Sequence, residues 1–78
     1  MNQSDEQKVL AGKKYRHYKG MEYLVHGVVV HSETLEKLVY YECLYENELS
    51  RFWVRPLEMF IGTVEIDGVT QERFRLIE

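Results

Sequence analysis

Apolar side chains recur at every second position in two stretches of this chain, a rhythm that fits an extended strand with distinct faces and not a helix. In Lys37 to Tyr45, Val39, Tyr41, Cys43 and Tyr45 share one face, and Leu38, Tyr40 and Leu44 share the other together with Glu42. In Arg51 to Arg55, Phe52 and Val54 point one way while Arg51, Trp53 and Arg55 point the other. A third stretch, Met21 to His31, is the clearest strand, because Val25, Val28, Val29 and Val30 supply β-branched side chains that sit well on a pleated surface. There Leu24, Val28 and Val30 line one side, Tyr23, Val25 and Val29 line the other, and Gly27 marks a bulge or bend.

Turn signals punctuate these strands. Tyr15 and Tyr18 belong to a short first strand that ends at Lys19, and Gly20 turns the chain into the next. Ser32 to Glu36 and Glu46-Asn47-Glu48 are polar connections. Pro56, the only proline, lacks an N–H and ends the third strand, with Leu57 to Phe60 as one helical turn that starts on the proline. Asp67-Gly68 is a two-residue hairpin signal between Thr63–Ile66 and Val69–Ile77. Five or six short strands with one helical turn predict an all-β fold, a small, partly open SH3-like barrel over residues 13–78, preceded by a flexible N-terminal tail over 1–12.

With 78 residues, a disulfide would be a common aid to stability, yet Cys43 has no partner in the chain. Aromatic bulk must therefore do the burying, and six Tyr, three Phe and one Trp supply it. The lone cysteine implies a reducing, cytoplasmic setting. The opening residues have neither the basic start nor the apolar stretch of a secretory signal, and no run approaches the roughly 20 apolar residues that span a bilayer, so no membrane partner is expected. A net charge of −3 disfavours broad electrostatic capture of nucleic acid. Its distribution is uneven: Lys13, Lys14, Arg16 and Lys19 cluster without an acid, while residues 21–50 hold six acids against Lys37 alone.

No spacing of His17, His26, His31 and Cys43 matches a zinc motif, and no metal or cofactor is expected. Cys43 sits mid-strand beside apolar neighbours and reads as a small core residue. No catalytic residue is assigned. Glu42 and Glu58 are the only carboxylates with apolar surroundings, and the five glycines are scattered singly, which excludes a phosphate-cradling loop. The most suggestive grouping is Arg51, Trp53 and Arg55, with Tyr15, Arg16 and Tyr18 nearby in a closed sheet. Guanidinium groups beside an indole can hold a planar or anionic ligand, though Trp53 can equally serve as a core residue.

The segments Tyr15-Arg16-His17-Tyr18-Lys19-Gly20, His31-Ser32-Glu33-Thr34, Trp53-Val54-Arg55-Pro56-Leu57-Glu58-Met59-Phe60 and Arg73-Phe74-Arg75 resemble the small bacterial family called domain of unknown function 1653. The resemblance spans about residues 14–78 and implies a compact β-domain with no established activity. Its pattern falls on Tyr18, Gly20, His31, Ser32, Glu33, Trp53, Arg55, Pro56, Met59 and Phe60. Backbone or packing duties explain Gly20, Pro56, Met59 and Phe60. That leaves Tyr18, His31, Ser32, Glu33, Trp53 and Arg55, which together with Arg51 from the strand grouping are the candidate ligand-binding residues; a side-chain-stabilised turn is an equal reading of His31 to Thr34.

These features favour a non-catalytic binding module for a small ligand, peptide or protein partner, acting as a monomer or weak homodimer. Single-stranded nucleic acid or nucleotide binding by base stacking is the alternative. A small enzyme that uses His31 and Glu33 as acid and base is a third reading.

Overall fold

The structure, a computed structural model, describes residues 3–78, and Met1 and Asn2 lie outside the described residues. In chain order the elements are α1 (Gln3–Gln7), β1 (Lys14–His17), β2 (Glu22–Val30), β3 (Lys37–Cys43), β4 (Phe52–Pro56), α2 (Leu57–Phe60), β5 (Thr63–Ile66), β6 (Val69–Glu72) and β7 (Phe74–Leu76). The domain is all-β with two short helices. Five strands form one sheet in the order β4-β3-β2-β1-β7, and β5 and β6 pair only with each other.

The sheet is open, not a closed barrel, because no pairing joins its edges β4 and β7. There are seven strands where five or six were expected, because the stretch Val69 to Ile77 breaks at Arg73. The Arg73 N–H bonds to the Gly62 carbonyl and its carbonyl accepts the Tyr18 N–H, which sends β6 back along β5 and β7 against β1.

Gly27 sits at the expected bulge, where the β2–β3 register shifts between Val25 and Gly27. The extra residue corrects the assignment of faces: Val28 joins Tyr23 and Val25 on the inner side opposite Val39, and Val29 turns outward opposite Leu38. Along β3 the alternation holds, with Val39, Tyr41 and Cys43 buried in the core and Tyr45 packed against it.

Five rings, Tyr15, Tyr23, Tyr41, Phe60 and Phe74, form the centre of the core, joined by edge-to-face and parallel contacts. Pro56 still pairs with Leu38 in the ladder, so it caps α2 instead of being its first residue, and α2 turns Leu57 and Phe60 onto the inner face of the sheet.

Contacts at Glu6, Val9 and Leu10 join the segment 1–12, read from the sequence as a flexible tail, to the rest of the domain. Val9 is buried in the core, the Leu10 N–H donates to Tyr15 Oη at 3.0 Å, and Glu6 ion-pairs with Lys37. The apolar patch at Val9 supplies the physical reason, since it covers one end of the aromatic cluster.

Candidate functional site

β4 lies beside β3 with Trp53 opposite Tyr41 and Arg55 opposite Val39, so both side chains stand on the inner face, the one that carries the core. Trp53 touches both the core and open space. Its half-buried indole packs against the core, its Nε1–H donates to the Ser50 carbonyl at 3.0 Å, and it lines a cleft. That cleft holds about 200 Å³ and is walled by Tyr23, Tyr41, Tyr45, Asn47, Trp53 and Arg55.

Some of the polar groups of the cleft bond to one another. The Tyr23 and Tyr45 hydroxyls are 2.9 Å apart, and burial together with that hydrogen bond pushes the Tyr23 phenol far above its usual pKa, so it stays protonated. Asn47 Oδ1 accepts the Leu49 N–H at 2.9 Å, which fixes the polar turn after β3. What the cleft offers a visitor is a mixed lining of aromatic rings, tyrosine hydroxyls, the Asn47 amide and one cation.

That cation, Arg55, donates from Nε to Tyr41 Oη at 3.3 Å and holds its guanidinium 5.2 Å from the Phe74 ring centroid. The same ring also meets His17 edge to face, with centroids 4.9 Å apart. Burial, followed by the nearby charges of Arg55, Arg73 and Lys19, holds the His17 imidazole below its ordinary pKa. Among the described residues none of these three cations is ion-paired with a carboxylate.

The remaining candidates fall elsewhere. Arg51 precedes β4 and does not stay with Trp53 and Arg55: its guanidinium crosses to the outer face, ion-pairs with Glu42 at 2.6 Å and lies over Phe52. The pull comes from Glu42, a buried carboxylate that also takes a hydrogen bond from His26 Nε2 at 2.9 Å. Those two hydrogen bonds, with His26 the larger influence, hold the Glu42 carboxyl below the usual range.

Tyr18 occupies the β1–β2 turn beside His17, with ring centroids 4.4 Å apart, at the mouth of a second cavity of about 330 Å³ that Arg16 and Arg75 also line. His31, Ser32 and Glu33 lie in the β2–β3 turn. There His31 Nδ1 accepts the backbone N–H groups of Glu33 and Thr34 at 3.1 and 3.2 Å, and the Leu35 N–H returns to the His31 carbonyl. Glu33 thus meets His31 through its amide and not through its carboxylate. Cys43 is buried in the core. Among the described residues no three His, Cys, Asp or Glu side chains converge as a metal site, and no helix is long and apolar enough to cross a membrane.

Sequence reasoning did not single out His17, Tyr41, Tyr45, Asn47 or Arg73 as site residues. The β3 alternation places Tyr41 and Tyr45 on the Trp53 side once the register is known. Nothing in the sequence brings Arg73 to His17, because that meeting depends on the strand break.

The geometry defines a small all-β domain, an open antiparallel sheet with a cleft of mixed aromatic and polar lining on its inner face. The chain belongs to the family described as "protein of unknown function (DUF1653)", whose model matches residues 13–76. A crystal structure of a protein of that family from Bordetella bronchiseptica is 35% identical and superposes with a TM-score of 0.85, covering 92% of this chain and 91% of that chain. The comparison with curated proteins yields no match.

Proposed function

We propose that this domain is a non-catalytic binding module and that the inner-face cleft receives a flat side chain or head group presented by a small ligand or a peptide. One observation carries the reading. Tyr23, Tyr41, Tyr45 and Trp53 surround one cleft, where their rings and hydroxyls stand beside the Asn47 amide and the Arg55 guanidinium, a mixed aromatic and polar lining that suits a flat group with polar substituents.

A volume of about 200 Å³ is below the range of about 300–1,000 Å³ typical of pockets that enclose a whole small molecule. The cleft therefore suits one planar fragment better than a complete nucleotide, and the net charge of −3 points the same way. The buried free thiol of Cys43 supports a reducing, cytoplasmic setting. We take the working unit to be a monomer, which light scattering checks.

A ¹H–¹⁵N chemical-shift titration against peptide and nucleotide libraries tests the reading. The expected result is a response centred on the Trp53 indole N–H and the Tyr45 amide for a peptide or a small aromatic ligand. A response confined to other surfaces, or none for any class, overturns it. Stronger binding of oligonucleotides than of peptides would replace it with nucleic-acid recognition.

A further inference from the structure

We propose that the flat group received by the inner-face cleft carries a carboxylate, which pairs with the Arg55 guanidinium and takes a further hydrogen bond from the Asn47 side-chain amide. This rests on the cleft reading above and adds the charge of the occupant.

No acid lines the cleft, whose walls are Tyr23, Tyr41, Tyr45, Asn47, Trp53 and Arg55. Among the described residues Arg55 takes part in no ion pair, and the one hydrogen bond of its side chain runs from Nε to Tyr41 Oη. The Nη groups at the far end of the guanidinium are left over as parallel donors, the fork that matches the oxygens of a carboxylate. Packing of the same guanidinium over Phe74, 5.2 Å from the ring centroid, steadies that fork.

Asn47 adds a donor of fixed direction. Its Oδ1 accepts the N–H groups of Leu49 and Ser50 at 2.9 and 3.5 Å, a role that only the oxygen can fill, so Nδ2 and its protons are turned away from those amides.

The hydroxyls lean the same way. Tyr41 Oη accepts from Arg55 and keeps its own proton to give, while the bond between the Tyr23 and Tyr45 hydroxyls consumes the proton of one and leaves that of the other. Burial first, and then that bond, keeps the Tyr23 phenol protonated. The lining thus holds a positive charge and a surplus of donors, which suits an acceptor-rich anion and opposes a cation.

Size and charge select the carboxylate among anions. A cleft of about 200 Å³ admits one ring with a small anionic end, and a monoanion meets less repulsion from the net charge of −3 than a phosphate dianion does.

The test titrates the full chain with benzoate, with N-acetylphenylalanine as a peptide C-terminus, with neutral benzyl alcohol, with benzylammonium and with acetate, in separate series at constant ionic strength set by chloride. NMR follows the Trp53 indole N–H, the Asn47 side-chain amide and the Arg55 Nε–H. Benzoate or acetylphenylalanine should shift all three together, with millimolar midpoints, and the tighter of the two names the source, a free aromatic acid or a chain end. Benzyl alcohol and benzylammonium should bind about tenfold more weakly, the size of one charged hydrogen bond. Arg55→Gln should weaken both carboxylates by about the same factor and spare benzyl alcohol. Asn47→Asp keeps the acceptor for the turn amides but sets an acid against the ligand, so it should weaken them as well and decides the matter if Arg55→Gln does not fold. Lys13→Gln, an exposed cation elsewhere, should change nothing.

Benzyl alcohol that binds as tightly as benzoate, with Arg55 silent, overturns the carboxylate and leaves the cleft reading intact. Acetate that matches benzoate, with a still indole, removes the aromatic cleft and keeps the anion contact. Undiminished carboxylate binding in Asn47→Asp and Arg55→Gln overturns the assignment of both residues, and silence from every probe overturns both readings.

Discussion

The rings of Phe60 and Phe74 lie parallel, with centroids 4.1 Å apart and planes within 9°. Phe60 comes from α2 and Phe74 from β7, so this one contact fastens the only helix after β4 to an edge strand of the sheet. Both residues are almost fully buried, and Phe74 also carries Arg55 and His17 on its surface.

Truncating this ring should be severe. Phe74→Ala is expected to cost about 3–5 kcal/mol, the usual range for a buried Phe, against a total stability of about 4–12 kcal/mol for a domain of this length. Urea unfolding followed by circular dichroism measures it. A loss under about 1 kcal/mol would mean that the ring is not central to the core.

Asp67 and Gly68 both have positive φ, 52° and 79°, as a type I′ hairpin turn requires. Gly68→Ala should cost about 1 kcal/mol in that turn. Because β5 and β6 pair only with one another, the loss should stay local. Amide exchange should speed up across residues 63–72 while the thermal midpoint moves little; a global drop would show that the hairpin supports the core.

His17 should titrate below 6.5 in the folded protein, since burial and then Arg55 lower its pKa. Between that lowered value and 6.5 the unfolded chain binds a proton that the native state does not, so His17 makes stability fall as pH drops through this window and contributes nothing to the slope above it. Arg55→Gln should move the midpoint upward, because it removes a positive charge that disfavours the imidazolium. An NMR titration of the ring that shows no upward movement in Arg55→Gln would separate the two residues.

Glu42 works in the same sense at lower pH. Its folded pKa lies below the ordinary 4.5, held down by His26 and Arg51, so its contribution is complete above that value and is lost as pH falls beneath it. Glu42→Gln should flatten the acid limb of a stability–pH curve. An unchanged limb would assign acid sensitivity to other carboxylates.

His31→Ala removes the acceptor for two turn amides and should destabilise by about 1 kcal/mol, as the loss of a capping side chain does. It should leave ligand shifts at Trp53 intact. If those shifts vanish while the fold survives, His31 takes part in recognition after all.

Much of the fold is legible in residue spacing. The alternations in 37–45 and 51–55, the bulge at Gly27, the stop at Pro56 and the Asp67-Gly68 turn all have local causes, in the side-chain period and in backbone freedom, and the structure repeats them. What local reasoning misses depends on distant partners. Arg51 follows the period on paper, yet one buried carboxylate draws it to the other face. Val9 reads as part of a polar segment until the exposed end of the aromatic cluster is seen to need a lid. The cleft is half legible for the same reason: Trp53 and Arg55 share a strand, but Tyr23, Tyr45 and Asn47 join them only through tertiary structure.

The open edges of the sheet bear on behaviour at high concentration. β4 has five residues and ends in a proline without an amide hydrogen, and β7 has only three. Such short margins give a foreign chain few rungs to grip. A concentrated solution of this tyrosine-rich protein should accordingly stay clear of fibrils.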